Sequence, residues 1–320
     1  MGNNTTKIGL GLAALGRPEY INIRENKSLD KSEKAFKENT FSVLDEAYNL
    51  GISYFDTAPS YGKGEAFLQE WNASRNHQNV ILGTKWGYTY MANWELGFDG
   101  KHEVKEHSLE KLTEQWDVSK QLLPRLKYYQ VHSATFESGI LENQAVLNQL
   151  HHIKRTTNLK IGITASGANQ KEIVSAALKI KVENEPLFDS FQVTYNVFEQ
   201  DAFRILNTVL SQGKSVIVKE ALANGRVFPN ENFGHYKYSY AVLNELSEKY
   251  GVGIDALALR FVMDSLKPTY VLSGASNKKQ LKENVKANDF SFSKNELEVL
   301  GNQRIAPELY WKERDLLAWN

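Results

Sequence analysis

Eight short apolar runs, spaced along the chain with longer amphipathic stretches between them, set the narrowest limit on how it can fold. The runs are Lys7–Leu10, Tyr54–Ala58, Val80–Lys85, Tyr128–Ser133, Lys160–Thr164, Phe191–Tyr195, Ser215–Lys219 and Tyr270–Ser273. Their β-branched and aromatic content favours strand. Most are continuous rather than alternating in polarity, as expected of parallel strands covered on both faces.

The intervening stretches carry helical spacing. Thr40–Leu50 places Phe41, Leu44, Ala47 and Tyr48 three and four apart, and Gly51 is a natural stop. Ala66–Ser74, Lys171–Ile180, Ala202–Leu210, Tyr240–Tyr250, Ala256–Met263 and Lys278–Ala287 read the same way. Eight strands with a helix in nearly every gap predict an α/β protein, a single (β/α)8 TIM barrel over residues 1–320. The 320 residues would suffice for two average domains, yet no Pro-, Gly- or Ser-rich linker divides them. Trp86 to about Ser108 and Ala223 to about Lys237 read as long loops, of the kind that bind substrate or act as lids.

Composition closes off several chemistries. The absence of cysteine excludes disulfides, thiolate nucleophiles and Cys-ligated metal sites. A formal net charge of zero gives no whole-chain field toward nucleic acid or an anionic membrane. No apolar run approaches the ~20 residues that span a bilayer. The polar start Met1–Lys7 has no signal-peptide core, although Gly2 and Thr6 match the loose N-myristoylation pattern. The expectation is a cytoplasmic protein with neither nucleic-acid nor membrane partner. The sequence sets no oligomeric state.

Three ionisable residues end three successive strands: Asp56, Lys85 and His132, with Tyr61 in the first connecting loop. In a parallel barrel those ends converge on the face where chemistry is done. Taken singly, each has a plain structural reading: a turn aspartate, a loop tyrosine, a snorkelling lysine, a core histidine. Together they suggest an acid–base apparatus built around a phenol.

These residues and their surroundings resemble the aldo-keto reductase family. Phe55-Asp56-Thr57-Ala58-Pro59-Ser60-Tyr61-Gly62 is close to that family's first signature, and Lys85 and His132 stand where it places its other two catalytic residues. Gly11-Leu12-Ala13-Ala14-Leu15-Gly16 resembles its first strand–loop, and Val271–Ser276 with Gln280 to Asn284 its C-terminal cofactor motif. The resemblance spans about residues 7 to 300 and implies hydride transfer between a nicotinamide cofactor and a small carbonyl or alcohol substrate. Reducing a carbonyl builds negative charge on oxygen, so a proton must be supplied. Tyr61 would supply it, and would act as base in the oxidative direction. A phenol titrates near ~10, and Lys85 beside it would lower that value. Asp56 would be the counter-charge of Lys85, and His132 would polarise the carbonyl.

No Gly-x-Gly-x-x-Gly fingerprint follows a strand, so the cofactor would be held as barrels hold phosphate, by loops after the last strands beside a helix N-terminus. Gly274 and Ser276 precede such a helix. The resemblance puts Gln192 on the nicotinamide carboxamide, assisted by Thr164 or Ser166. Lys219 occupies the place where the family often stacks a tyrosine. Ser276 stands where many members carry a 2′-phosphate-reading cation, with Lys278 and Lys279 near enough to replace it. The family favours NADP(H) over NAD(H). Gln280 and Asn284, four apart, share a helix face and are candidates to contact adenine.

Trp86, Tyr88, Tyr90 and Trp94 crowd the loop after the third strand and suit a sugar ring or an aromatic carbonyl compound, or simply pack the loop. His102, Glu103 and His107 lack a zinc spacing. His151-His152 on a helical pattern reads as surface. Tyr310–Arg314 would cross the barrel mouth or pack against a helix. Two other functions use the same fold: a non-catalytic nicotinamide-binding regulatory subunit, and a cofactor-free barrel hydrolase or lyase working through Asp56 and His132.

Overall fold

The computed structural model describes residues 7–21 and 30–319; Gly2 and Thr6 of the myristoylation pattern lie outside them. Eight parallel strands close into a barrel: β1 (Ile8–Gly11), β2 (Tyr54–Asp56), β3 (Ile81–Trp86), β4 (Leu126–Ala134), β5 (Lys160–Ala165), β6 (Ser190–Thr194), β7 (Ser215–Lys219) and β8 (Tyr270–Ser273). Each pairs with its sequence neighbours, and β8 closes on β1 through Ile8↔Val271 and Leu10↔Ser273. All eight predicted strands are therefore present, with ends shifted by a few residues.

The helices α1 (Glu33–Asn49), α2 (Gly64–Arg75), α3 (Leu109–Ser119), α4 (Gln144–Thr157), α5 (Gln170–Ala177), α6 (Phe203–Ser211), α7 (Lys237–Tyr250), α8 (Ile254–Ser265), α9 (Lys278–Val285), α10 (Lys294–Gly301) and α11 (Pro307–Asp315) follow in order. Helix α1 begins seven residues before the predicted start. Ser32 caps it by accepting from the Ala35 amide, and Phe36 buries itself in the otherwise polar first turns. The predicted loop after β3 contains an antiparallel hairpin, Tyr88–Tyr90 against Glu103–Lys105, and α3 follows it, capped by Ser108. A second small hairpin, Lys181–Val182 with Glu185–Pro186, buries His151 of α4, so the surface reading of that residue is corrected; His152 is exposed. Among the described residues no helix is long and apolar enough to cross a membrane.

Two hydrophobic cores result. The larger lies between strands and helices, where Phe55 packs on Trp71 with ring centroids 5.2 Å apart. The smaller fills the lower barrel interior with Tyr54, Tyr128, Ile217 and Leu272, packed by Ile81 and Tyr270. Side chains alternate along β2, so Tyr54 and Asp56 face inward while Phe55 faces the helices. Burying the lower interior in aromatics leaves the upper mouth to polar groups.

Candidate active site

The mouth is built from strand ends. Lys85 of β3 donates to Asp56 Oδ2 and, at 2.9 Å, to the Thr57 carbonyl. Asp56 Oδ1 accepts from the Tyr54 hydroxyl at 2.9 Å, Gln192 Nε2 at 3.0 Å and Gln130 Nε2 at 3.4 Å. Both charges are buried. Desolvating an ion pair is costly unless the remaining lone pairs and protons find partners, and here three strands supply them.

Tyr61 sits in the loop after β2. The loop closes on the first β–α turn: Lys63 N donates to the Gly16 carbonyl at 2.7 Å, and Gly62 adopts φ +62°. Gly16 must be glycine, because a Cβ there would stand 2.2 Å from the Tyr61 carbonyl oxygen. The Tyr61 ring lies 4.8 Å from Lys85 Nζ and meets His132 edge-on at 5.6 Å. Its hydroxyl has no hydrogen-bond partner among the described residues. Burial pushes the phenol well above 10, the charge of Asp56 adds to this, and Arg17 partly offsets it. Lys85 is paired with Asp56, which offsets its charge beside the ring. The resting phenol is a protonated acid.

His132 lies near the C-terminal end of β4, with its Nδ1 3.4 Å from Ser60 Oγ. Burial, reinforced by Lys85, Lys219 and Arg17, holds it well below 6.5, so the imidazole is neutral. With the Ser60 hydroxyl donating to Nδ1, the ring N–H sits on Nε2. His107 Nε2 donates to the His132 carbonyl at 3.0 Å, fixing the strand end. Burial lowers His107 to about 4.

The remaining predicted residues divide. Thr164 lies at the end of β5 and Ser166 directly after it. Thr164 Oγ1 accepts from the Ser133 amide at 2.6 Å, and Ser166 Oγ accepts from Lys219 at the end of β7. Burial lowers Lys219 to about 8 against the pull of Glu220, with Arg314 and Lys85 adding to the effect. Burial also opposes the Glu220 carboxylate, but Arg314 and Lys219 outweigh it and hold it at about 2. Gln192 is buried and committed to Asp56. At the far side of the mouth, Gly274 and Lys279 are exposed, and Asn277 caps α9 by accepting from the Gln280 amide at 3.0 Å. Gln280 Oε1 accepts from the Ser276 amide at 2.9 Å. Asn284 is buried rather than beside Gln280 on an open face. With its amide oriented to satisfy both ends, it accepts from Ser273 Oγ at 2.7 Å and donates to Asp255 at 2.8 Å.

Several residues of the mouth escaped the sequence reading. Arg17, directly after Gly16, binds Glu103 at 2.9 Å, and its guanidinium lies 5.2 Å from the Tyr61 ring and 4.9 Å from those of Tyr20 and Trp319. Trp319 stacks on His102 at 4.2 Å, and Arg314 of α11 reaches Glu220 at 3.1 Å, so the C-terminal segment does cross the mouth. The signal available for Arg17 was its place in a loop at the catalytic ends of the strands. Of the clustered aromatics, Tyr88 faces His132 at 4.9 Å. Trp86 is buried against His107, and Trp94 packs on Phe36.

Comparison with known proteins agrees with this geometry. Residues 7–301 match the model of the aldo/keto reductase family. The L-glyceraldehyde 3-phosphate reductase of Escherichia coli (strain K12) is 26% identical over 337 residues, covering 94% of this chain and 91% of its own. A putative aryl-alcohol dehydrogenase of Saccharomyces cerevisiae is 26% identical, covering 82% of this chain and 76% of its own. Among solved structures, the holo form of an aldo-keto reductase from Bacillus halodurans superposes with TM-score 0.68 at 21% identity, covering 94% of this chain and 93% of its own. The chain belongs to the aldo/keto reductase family.

Proposed function

We propose, for this member of the aldo/keto reductases, the interconversion of a small carbonyl compound and its alcohol with a nicotinamide cofactor, Tyr61 acting as general acid or base. The observation that carries the reading is an unpartnered, protonated phenol set edge-on to a neutral histidine above a buried Lys–Asp pair. A carbonyl oxygen placed against both would accept from Tyr61 Oη and from His132 Nε2. Two donors aimed where charge develops stabilise it without reorganisation. The proton then passes from Tyr61 to that oxygen, leaving a phenolate beside Lys85. Asp56 keeps Lys85 oriented throughout.

The residues present fit the cofactor. Gly274 leaves open space above the loop, since an added Cβ there would touch nothing within 4 Å. The loop feeds the N-terminus of α9, where backbone N–H groups favour phosphate. Ser276, Lys279 and Gln280 would hold the adenosine phosphates, with Asn284 anchoring Ser273 beneath them. Lys278 and Lys279 have no carboxylate partner among the described residues, which supports NADP(H) over NAD(H). Thr164, Ser166, Gln192 and Lys219 surround the place for the nicotinamide, and Gln192 would turn from Asp56 to meet its carboxamide. When bound, the cofactor supplies or accepts the hydride. Tyr20, Tyr88 and Trp319 wall the mouth with partly exposed rings, suiting a sugar-like or aromatic carbonyl. The named activities of the two relatives fall in the same range. A cytoplasmic setting goes with this reading.

The test is to titrate the protein with NADPH and NADH, following quenching of its 6 tryptophans, with Lys279→Ala in parallel. Saturable binding is expected, tighter for NADPH and weakened by the substitution. A screen of small aldehydes should then give turnover that Tyr61→Phe abolishes. Failure of both nucleotides to bind overturns the assignment.

A further inference from the structure

The barrel interior below the site holds a tyrosine that the proton chemistry does not use. Tyr54 precedes Asp56 by two residues, so both point into the barrel. Its ring occupies a slot shaped for it. A Cβ on Gly83 of β3 would stand 2.3 Å from the Tyr54 hydroxyl, and one on Gly9 of β1 would stand 2.7 Å from its Cδ1. From β8, Tyr270 stacks on the ring at 4.3 Å and 16°. From β4, Tyr128 meets it edge-on at 5.5 Å. The ring is therefore fixed on all sides, and its hydroxyl donates at 2.9 Å to Asp56 Oδ1.

A carboxylate turns easily about its terminal torsion, which is broad and two-fold. Three donors meet Oδ1. Gln130 is the long one at 3.4 Å, and Gln192 is the one that must leave to engage a cofactor. We propose that Tyr54 is a positioning residue: its hydroxyl, held rigid inside the barrel, locks the Asp56 carboxylate so that Oδ2 stays aimed at Lys85 when Gln192 is otherwise engaged. The proposal rests on the reductase reading above. It assigns the aromatic floor of the barrel a part in catalysis, transmitted through one hydrogen bond.

The experiment compares wild type with Tyr54→Phe, which keeps the ring and its stacking, using DL-glyceraldehyde as substrate and NADPH as cofactor. A hydrogen bond to a charged group is worth about one order of magnitude. The expected result is a fall in kcat of about tenfold, with the glyceraldehyde KM and the NADPH Kd unchanged within about twofold. Gly83→Ala, whose methyl would stand 2.3 Å from the hydroxyl and must push the ring away from Asp56, should reproduce the split, and it decides the matter if Tyr54→Phe does not fold. Unchanged kcat in a folded variant overturns the proposal. So does a parallel loss in kcat, KM and Kd, which marks general loosening. Failure of wild type to bind NADPH fells the reductase reading itself; normal wild-type turnover with a silent Tyr54→Phe fells only the role of Tyr54.

Discussion

Asp56→Asn isolates what the buried ion pair contributes. The side chains of Lys85 and Asp56 are 0% and 2% exposed. Asparagine is nearly isosteric and can still accept from Tyr54 and Gln192, so the substitution removes charge rather than volume. It leaves an ammonium group buried without a counter-ion, which costs about 3–5 kcal/mol. Over 320 residues, an unfolding entropy of about 2.1 cal/mol/K per residue gives about 0.7 kcal/mol/K, so the melting temperature should fall by about 4–7 °C. Urea unfolding followed by tryptophan fluorescence would give the free energy directly. The decisive comparison is the double variant Asp56→Asn/Lys85→Met, in which no charge is left buried. It should recover most of the loss, because replacing both members of a buried pair is often near neutral while removing one is not. A single variant that loses less than about 1 kcal/mol, or a double variant no more stable than the single, would refute the reasoning.

Two further outcomes follow from the same geometry. His107 titrates near 4 in the fold and near ~6.5 unfolded. The unfolded chain therefore binds more protons between those values, and stability falls as pH drops from about 6.5 toward about 4, by up to about 1.4 kcal/mol per unit from this residue. His107→Asn should flatten that slope when urea midpoints near pH 5 and pH 7.5 are compared. Gly16→Ala would push a methyl to 2.2 Å from the Tyr61 carbonyl and 2.5 Å from Gly64 Cα. With the far-UV circular dichroism of wild type, it should still lose about a hundredfold in turnover, the scale of an ångström-sized misplacement. Turnover near wild type would mean that the loop accommodates it.

The barrel strands were legible because fully buried parallel strands are written as unbroken apolar runs. The quartet Asp56, Tyr61, Lys85 and His132 was legible because strand ends fix where side chains meet. Helix α3 was not: among its buried residues only Leu112 is apolar, beside Gln115 and Ser119. Helix α10 did carry a signal, the capping box of Ser293 and Glu296, and α11 another, Pro307 in its first turn. Arg17 and Glu103 lie 86 residues apart, and no local pattern announces such a pairing. His151 shows the limit of periodicity. Adjacent helical residues diverge by about 100°, so one of two histidines can face inward, and which one does depends on a hairpin further along the chain.

The division of the quartet's surroundings along the chain has a consequence for synthesis. All four residues belong to the first half of the barrel, whereas Gln192, Lys219 and the closing strand β8 come from the second. A ribosome-bound or nicked chain that stops after β4 carries the aspartate, tyrosine, lysine and histidine but not the strands that complete their burial. Until β8 pairs with β1 the barrel stays open and water reaches the Lys85–Asp56 pair. The quartet's buried arrangement therefore arrives only with ring closure, however early its members are made.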